Sequence, residues 1–177
     1  QYYKDCYIEG TTDFIFGSAT AVFDRCVIHS KRESYITAAS TPENNPYGYV
    51  FMNSTMTYDP EYVSVGSVYL GRPWRPYASV MFVNTEMDDH IKPEGWHNWG
   101  NPENEKTARY FEFGSTGPGT ASAEERVSWS GQLTDEQAAE LTIENILGGD
   151  DHWDPLEMIE QAALDRERLL EIVSRDH

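Results

Sequence analysis

The sequence predicts an all-β protein, a parallel β-helix with short helices near its C-terminus. A repeat, its spacing and the punctuation between its copies carry that prediction. Tyr2-Tyr3-Lys4-Asp5-Cys6-Tyr7-Ile8 aligns with Val22-Phe23-Asp24-Arg25-Cys26-Val27-Ile28, Val50-Phe51-Met52-Asn53-Ser54-Thr55-Met56 and Met81-Phe82-Val83-Asn84-Thr85-Glu86-Met87. Each copy reads apolar, aromatic, any, polar, small, any, apolar. The starts lie 20, 28 and 31 residues apart, within the range where one supersecondary unit per repeat stacks on the next. Up to about residue 130 the apolar runs are short and broken by Gly, Pro, Asn and Asp, as strands are.

Read as strands, the copies place Cys6, Cys26, Ser54 and Thr85 in one column, with Ile8, Ile28, Met56 and Met87 in a second. Because successive side chains in a strand alternate faces, Phe23, Arg25 and Val27 are expected to oppose Val22, Asp24, Cys26 and Ile28. Unequal spacing means insertions on one side of the stack. An antiparallel sandwich with chance similarity is the competing arrangement. After residue 131 the pattern turns helical. Thr134-Asp135-Glu136-Gln137 forms a capping box opening a helix to about Leu141. Asp154-Pro155-Leu156-Glu157 opens a second, whose stripe of Ile159, Ala162, Ala163, Leu169, Leu170 and Val173 is expected to dock on the stack or cover its end. The expected division is therefore a β-helix over 1–154 and a helical tail over 155–177.

Composition narrows the partners. The 177 residues carry 13 Lys and Arg against 30 Asp and Glu, a net charge of −17. Without a basic cluster, that charge argues against nucleic acid or an anionic membrane as partner. No apolar run approaches the roughly 18 residues of a membrane span. The charge is uneven: residues 132–177 hold 13 acids and 3 bases, residues 1–85 hold 8 and 6. The front half can thus face an anionic polymer without strong repulsion. The chain opens at Gln1 inside a strand-like run, which reads as a fragment or a processed chain.

Chemistry concentrates in two segments. In Ile8-Glu9-Gly10-Thr11-Thr12-Asp13-Phe14-Ile15-Phe16-Gly17 one acid sits among aromatic and branched residues that would desolvate it unless it had a partner. In Leu70-Gly71-Arg72-Pro73-Trp74, Pro73 restricts the backbone around Arg72, and Trp74 offers a flat face of the kind that stacks on sugar rings. Asp13 lies 13 residues before Cys26 and Arg72 lies 13 before Thr85, so both are expected on one side of the stack in a shared register. Two coils would separate their backbones by about 10 Å, at ~4.8 Å per strand step. Asp88-Asp89-His90 and Asp150-Asp151-His152 have the residue types of metal ligands, but adjacent residues rarely point at one ion. His29 and His97 lack a Ser or Cys partner, and Gly114-Ser115-Thr116-Gly117-Pro118-Gly119 lacks the lysine of a phosphate loop.

These two segments, with Gly95-Trp96 followed by Trp99 and with Ser115-Thr116-Gly117-Pro118-Gly119, resemble the pectin methylesterases in order and spacing over about residues 1–154. The resemblance implies a right-handed parallel β-helix and a carboxylic ester hydrolase that converts methylated homogalacturonan (pectin) to pectate and methanol. It implies that Asp13 is the nucleophile, that Arg72 orients it and favours its charged form, and that Trp74 stacks on a galacturonosyl ring. It implies no cofactor and no metal, a polysaccharide partner, an extracellular or periplasmic setting, and a monomer at full length. The family's proton donor and oxyanion-stabilising Gln are expected upstream of Gln1, so the chain alone is expected to show little turnover. Cys6 and Cys26 would stand near 5 Å apart in neighbouring coils, as in bacterial-type relatives, either as a disulfide or as two stacked thiols. A non-catalytic carbohydrate-binding β-helix and an acyl-thioester hydrolase remain the alternatives.

Overall fold

A computed structural model of the chain describes residues 1–175. Thirteen strands run in chain order as β1 (Tyr2–Lys4), β2 (Tyr7–Gly10), β3 (Ile15–Gly17), β4 (Ala21–Asp24), β5 (Val27–Ser30), β6 (Tyr35–Ala39), β7 (Tyr49–Met52), β8 (Thr55–Tyr58), β9 (Tyr69–Gly71), β10 (Ser79–Val83), β11 (Glu86–Met87), β12 (Arg109–Phe113) and β13 (Gly131–Gln132). They form three sheets, β1-β4-β7-β10-β12-β13, β2-β5-β8-β11 and β3-β6-β9. Every pairing between these strands is parallel. The chain winds as a right-handed parallel β-helix, which rules out the antiparallel sandwich.

The repeat keeps its register through the stack. Ile8, Ile28, Met56 and Met87 align across the second sheet, and all but Ile8 are fully buried. Tyr3, Phe23, Phe51 and Phe82 align across the first, their rings stacked at 4.9, 4.6 and 4.6 Å. Stacked coils place identical positions one strand apart, the spacing at which offset aromatic pairs are favourable.

Each repeat copy is two strands rather than one, and this corrects the alternating-face reading. Asp5, Arg25, Asn53 and Asn84 occupy the same repeat position with φ of 53°, 52°, 52° and 50°. That left-handed residue swings the chain from the first sheet into the second and resets the parity. Phe23, Cys26 and Ile28 consequently share the interior, while Val22 and Val50 face outward into a separate apolar cluster. The small-residue column fits this bend, since the Ser54 hydroxyl donates to the Phe23 carbonyl and accepts the Cys26 amide, each at 3.1 Å. Cys6 and Cys26 are both free thiols; the Cys26 Sγ donates to the carbonyls of Tyr3 and Asp24.

Three helices follow: α1 (Asp135–Ala139), α2 (Ile143–Leu147) and α3 (Pro155–Arg175). The capping box forms as expected, with Thr134 accepting the Gln137 amide and Gln137 accepting the Thr134 amide. The expected docking of the tail helix does not occur. Ile159, Leu169, Leu170 and Val173 are 41–63% exposed. Their natural seat, the outer face of the first sheet at Val22, Val50 and Val83, is already covered by Leu141, Ile146 and Leu147. The last two residues of the tail expected over 155–177 lie outside the described residues. No described helix is long and apolar enough to cross a membrane.

Candidate active site

The third sheet carries the site. In it Ile15, Thr37 and Gly71 stand in register on β3, β6 and β9. Asp13 precedes β3 in a left-handed conformation, φ 49°, and its amide donates to the Tyr35 carbonyl at 2.8 Å. Arg72 follows β9, its amide donating to the Thr37 carbonyl at 3.0 Å. The two residues sit two coils apart, as expected. They are offset along the strands, however, because Asp13 registers with Tyr35 and Tyr69 rather than with Arg72. The long arginine side chain closes that offset.

It does so with both ends of the carboxylate. Arg72 Nε donates to Asp13 Oδ1 at 3.0 Å and Nη2 donates to Oδ2 at 2.6 Å. Both side chains are 19% exposed, so the pair is largely withdrawn from water yet open on one side. A planar fork-to-carboxylate contact fixes the carboxylate's rotation as well as its position. The guanidinium carbon also lies over two rings, 3.8 Å from the Tyr35 centroid and 3.7 Å from that of Trp99. Such stacking stabilises the cation and restricts its tilt.

Close approach of the backbones makes this arrangement specific. Thr37 Oγ1 donates to the Leu70 carbonyl at 2.9 Å, and a Cβ on Gly71 would overlap that hydroxyl. Only glycine lets β9 lie this near β6 at the position before Arg72. Gly71→Ala is expected to destabilise the protein by about 1–3 kcal/mol, the usual cost of overpacking, measured by denaturant unfolding.

A cleft of about 350 Å³ opens beside the pair, lined by Thr12, Asp13, Phe16, Ala38, Trp74 and Trp99. Trp74 is 40% exposed and Phe16 65%, their rings meeting edge to face at 6.2 Å. The Trp74 amide donates to the Ala39 carbonyl, and buried Asn104 donates to the carbonyls of Pro73 and Asn98, tying the loops of Trp74 and Trp99 together. Of the three residues singled out from sequence, Asp13 and Trp74 line one cleft and Arg72 stands behind it, bonded to Asp13. Sequence alone does not mark Phe16 and Trp99 as lining the cleft or Tyr35 as packing on Arg72. Trp99 had a signal in its spacing from Gly95-Trp96, whereas nothing local marks Tyr35.

Asp13 is the sole acid lining this cleft among the described residues. No three described His, Cys, Asp or Glu side chains gather as a metal site. Within Asp88-Asp89-His90, His90 is buried and stacked on Tyr58 at 4.8 Å, and desolvation pushes its pKa down to about 4.

The pectinesterase family model matches residues 1–150. Pectinesterase 31 of Arabidopsis thaliana is 48% identical over 139 residues, covering 78% of this chain and 43% of that protein. Among solved structures, pectin methylesterase PemA from Erwinia chrysanthemi is 37% identical with a TM-score of 0.73, covering 87% of this chain and 52% of that one. A pectin methylesterase in complex with a hexasaccharide matches at 36% identity with the same TM-score and coverage. The chain spans between about a fifth and a half of the length of the relatives it matches.

Proposed function

This chain belongs to the pectinesterase family, and from that premise we propose that it supplies the nucleophile half of an esterase acting on methylated homogalacturonan. The observation that carries the reading is the bidentate Arg72–Asp13 pair at the edge of an aromatic-walled cleft. Arg72 occupies both carboxylate oxygens from one side and holds them in a fixed plane. A lone pair of one oxygen is left to attack the ester carbonyl carbon presented from the open side.

In the proposed reaction that C–O bond forms, the carbonyl π electrons move onto oxygen, and their return expels the methoxy group, which leaves as methanol after taking a proton. The resulting acyl-enzyme is a mixed anhydride of Asp13 and the galacturonosyl carboxyl. Water then adds to it, giving back the Asp13 carboxylate and a free galacturonate with two protons, one restoring the donor that protonated methanol and the other released. The proposal places the proton donor and the oxyanion donors in the remainder of the domain that the longer relatives possess. Losing either class of group would cost about 10²–10³ or more in rate, so residues 1–177 alone should turn over far more slowly than the full-length protein.

Trp74 and Phe16 provide apolar faces for the sugar rings, and Trp99 closes the cleft over Arg72. The substrate is an extracellular polymer, so the proposed setting is the cell wall or the periplasm. No metal or cofactor enters the scheme, and the chemistry is assigned to residues 1–154 rather than to α3.

Trp74→Ala tests the binding role. The ring is two-fifths exposed, so its loss is expected to raise KM about tenfold, the worth of one good aromatic stack. Stability in denaturant should change far less than the ~3–5 kcal/mol that a core tryptophan costs. A loss of that size would make Trp74 structural. The experiment that tests the function itself is methanol release from methylated pectin by the full-length protein, compared with pectate as a substrate lacking the ester.

A further inference from the structure

His97 lies outside the cleft and has no part in the reaction above, yet it touches the residue that covers Arg72. Its Nδ1 accepts the backbone amide of Trp99 at 3.1 Å. An acceptor two residues before the donor closes a small side-chain turn of the kind Asn and Asp usually make. The turn is needed because Trp99 sits at φ 64°, a left-handed conformation that a bulky residue does not hold unaided. Trp99 is 38% exposed, and its ring, 3.7 Å from the Arg72 guanidinium, is one of the two rings beside the guanidinium that pairs with Asp13.

We propose that His97 is a positioning residue whose neutral Nδ1 latches Trp99 over Arg72, and that protonation of His97 opens the latch. This deepens the functional reading and rests on it for its consequence in turnover. Bonding at Nδ1 requires that the proton of the neutral ring be on Nε2. Once a proton is added to Nδ1, the ring can only donate, and the Trp99 amide loses its acceptor. The left-handed turn then keeps only the bonds that Asn98 makes to the Gly100 amide and the Asn104 side chain, and the Trp99 ring is held less firmly over the guanidinium.

The surroundings of His97 favour the neutral, latched form. Tyr35 on β6 and Tyr69 on β9 pack their rings against it at 5.5 and 5.3 Å. Arg72, following β9, and Lys92, which stands over Tyr69, are the cations near it, while Glu94 and Glu105 line the same hollow. Burial first, then the charges of Arg72 and Lys92, lower the His97 pKa from its ordinary value. The latch is therefore closed at neutral pH and opens only on the acid side of ordinary histidine titration.

The test follows the Trp99 amide in the full-length protein by hydrogen exchange and by its ¹⁵N–¹H resonance, alongside kcat and KM for methanol release as a function of pH. In the wild type, Trp99 protection is expected to fall by about fivefold, the worth of one neutral hydrogen bond, as His97 becomes protonated, with KM rising over the same pH interval. His97→Asn supplies a non-titrating acceptor at the same separation and should keep Trp99 protected across that interval. His97→Ala should leave it unprotected at every pH. The proposal is overturned if Trp99 protection is the same on both sides of the His97 titration, or if His97→Ala leaves it unchanged. The amide readout is independent of turnover, so a full-length protein that releases no methanol would fail the functional reading while Trp99 still decides the latch.

Discussion

Asp13→Asn is expected to lower methanol release from methylated pectin by a factor on the order of 10³ or more in the full-length protein, as removal of an attacking group does elsewhere. An amide in place of the carboxylate is isosteric but is a far poorer nucleophile and carries no charge for Arg72 to pair with. The fold should survive. Asp13 is held in its left-handed turn by its backbone bond to Tyr35, a conformation that asparagine adopts as readily as aspartate. Activity above about a tenth of wild type, with unfolding unchanged, would remove Asp13 from the nucleophile's role.

The largest effect on stability is expected far from the cleft. Phe82, the last ring of the aromatic column, registers with Glu112 on β12, and that buried acid pairs with buried Arg126. Arg126 Nε donates to Glu112 Oε2 at 2.8 Å and Nη2 donates to Oε1 at 3.1 Å, with side chains 2% and 4% exposed. The remaining guanidinium hydrogens go to the carbonyls of Lys92, Pro93 and Gly119. The arginine thereby ties β12 to the Lys92–Pro93 segment and to the loop at Gly119. Arg126→Met would leave Glu112 buried without its cation and its bonds, and is expected to cost about 3–5 kcal/mol in denaturant unfolding. The double variant Glu112→Leu with Arg126→Met should recover most of that loss. A single-variant loss below about 1 kcal/mol would show that water reaches Glu112.

Much of the stack is legible in the sequence because its order is one-dimensional. Ile8, Ile28, Met56 and Met87 align in the structure as their repeat positions align in the sequence, since each coil contacts only its neighbours. The left-handed residue at Asp5, Arg25, Asn53 and Asn84 was visible as a polar position but not as a bend. Arginine at that position carries no turn signal, so the pattern does not reveal the parity change. The third sheet is harder still: Ile15-Phe16-Gly17, Tyr35–Ala39 and Tyr69-Leu70-Gly71 share no common pattern. Asp13 and Arg72 can be placed together only through their distance from the small-residue column, at Cys26 and Thr85, which puts them on the right side of the stack and misses the offset between them.

What was not legible depends on contacts between distant loops. Trp99 reaches Arg72 from a loop held by His97, Asn98 and Asn104, and Tyr35 meets Arg72 because the coils stack. The tail helix fails for the opposite reason. Its amphipathic stripe is real, but amphipathicity says that a face is available for burial and not that a seat is vacant. The five residues of α2, too short to leave a strong periodic trace, had taken the seat.

The central claim is that Asp13 attacks the ester carbonyl and carries the acyl group. The most direct measurement is peptide mapping by mass spectrometry after rapid acid quench of the full-length protein turning over a short methylated oligogalacturonide. The account predicts an acyl adduct on the peptide that contains Asp13, absent when the oligomer is fully de-esterified beforehand. An adduct mapped to any other residue during turnover would contradict it.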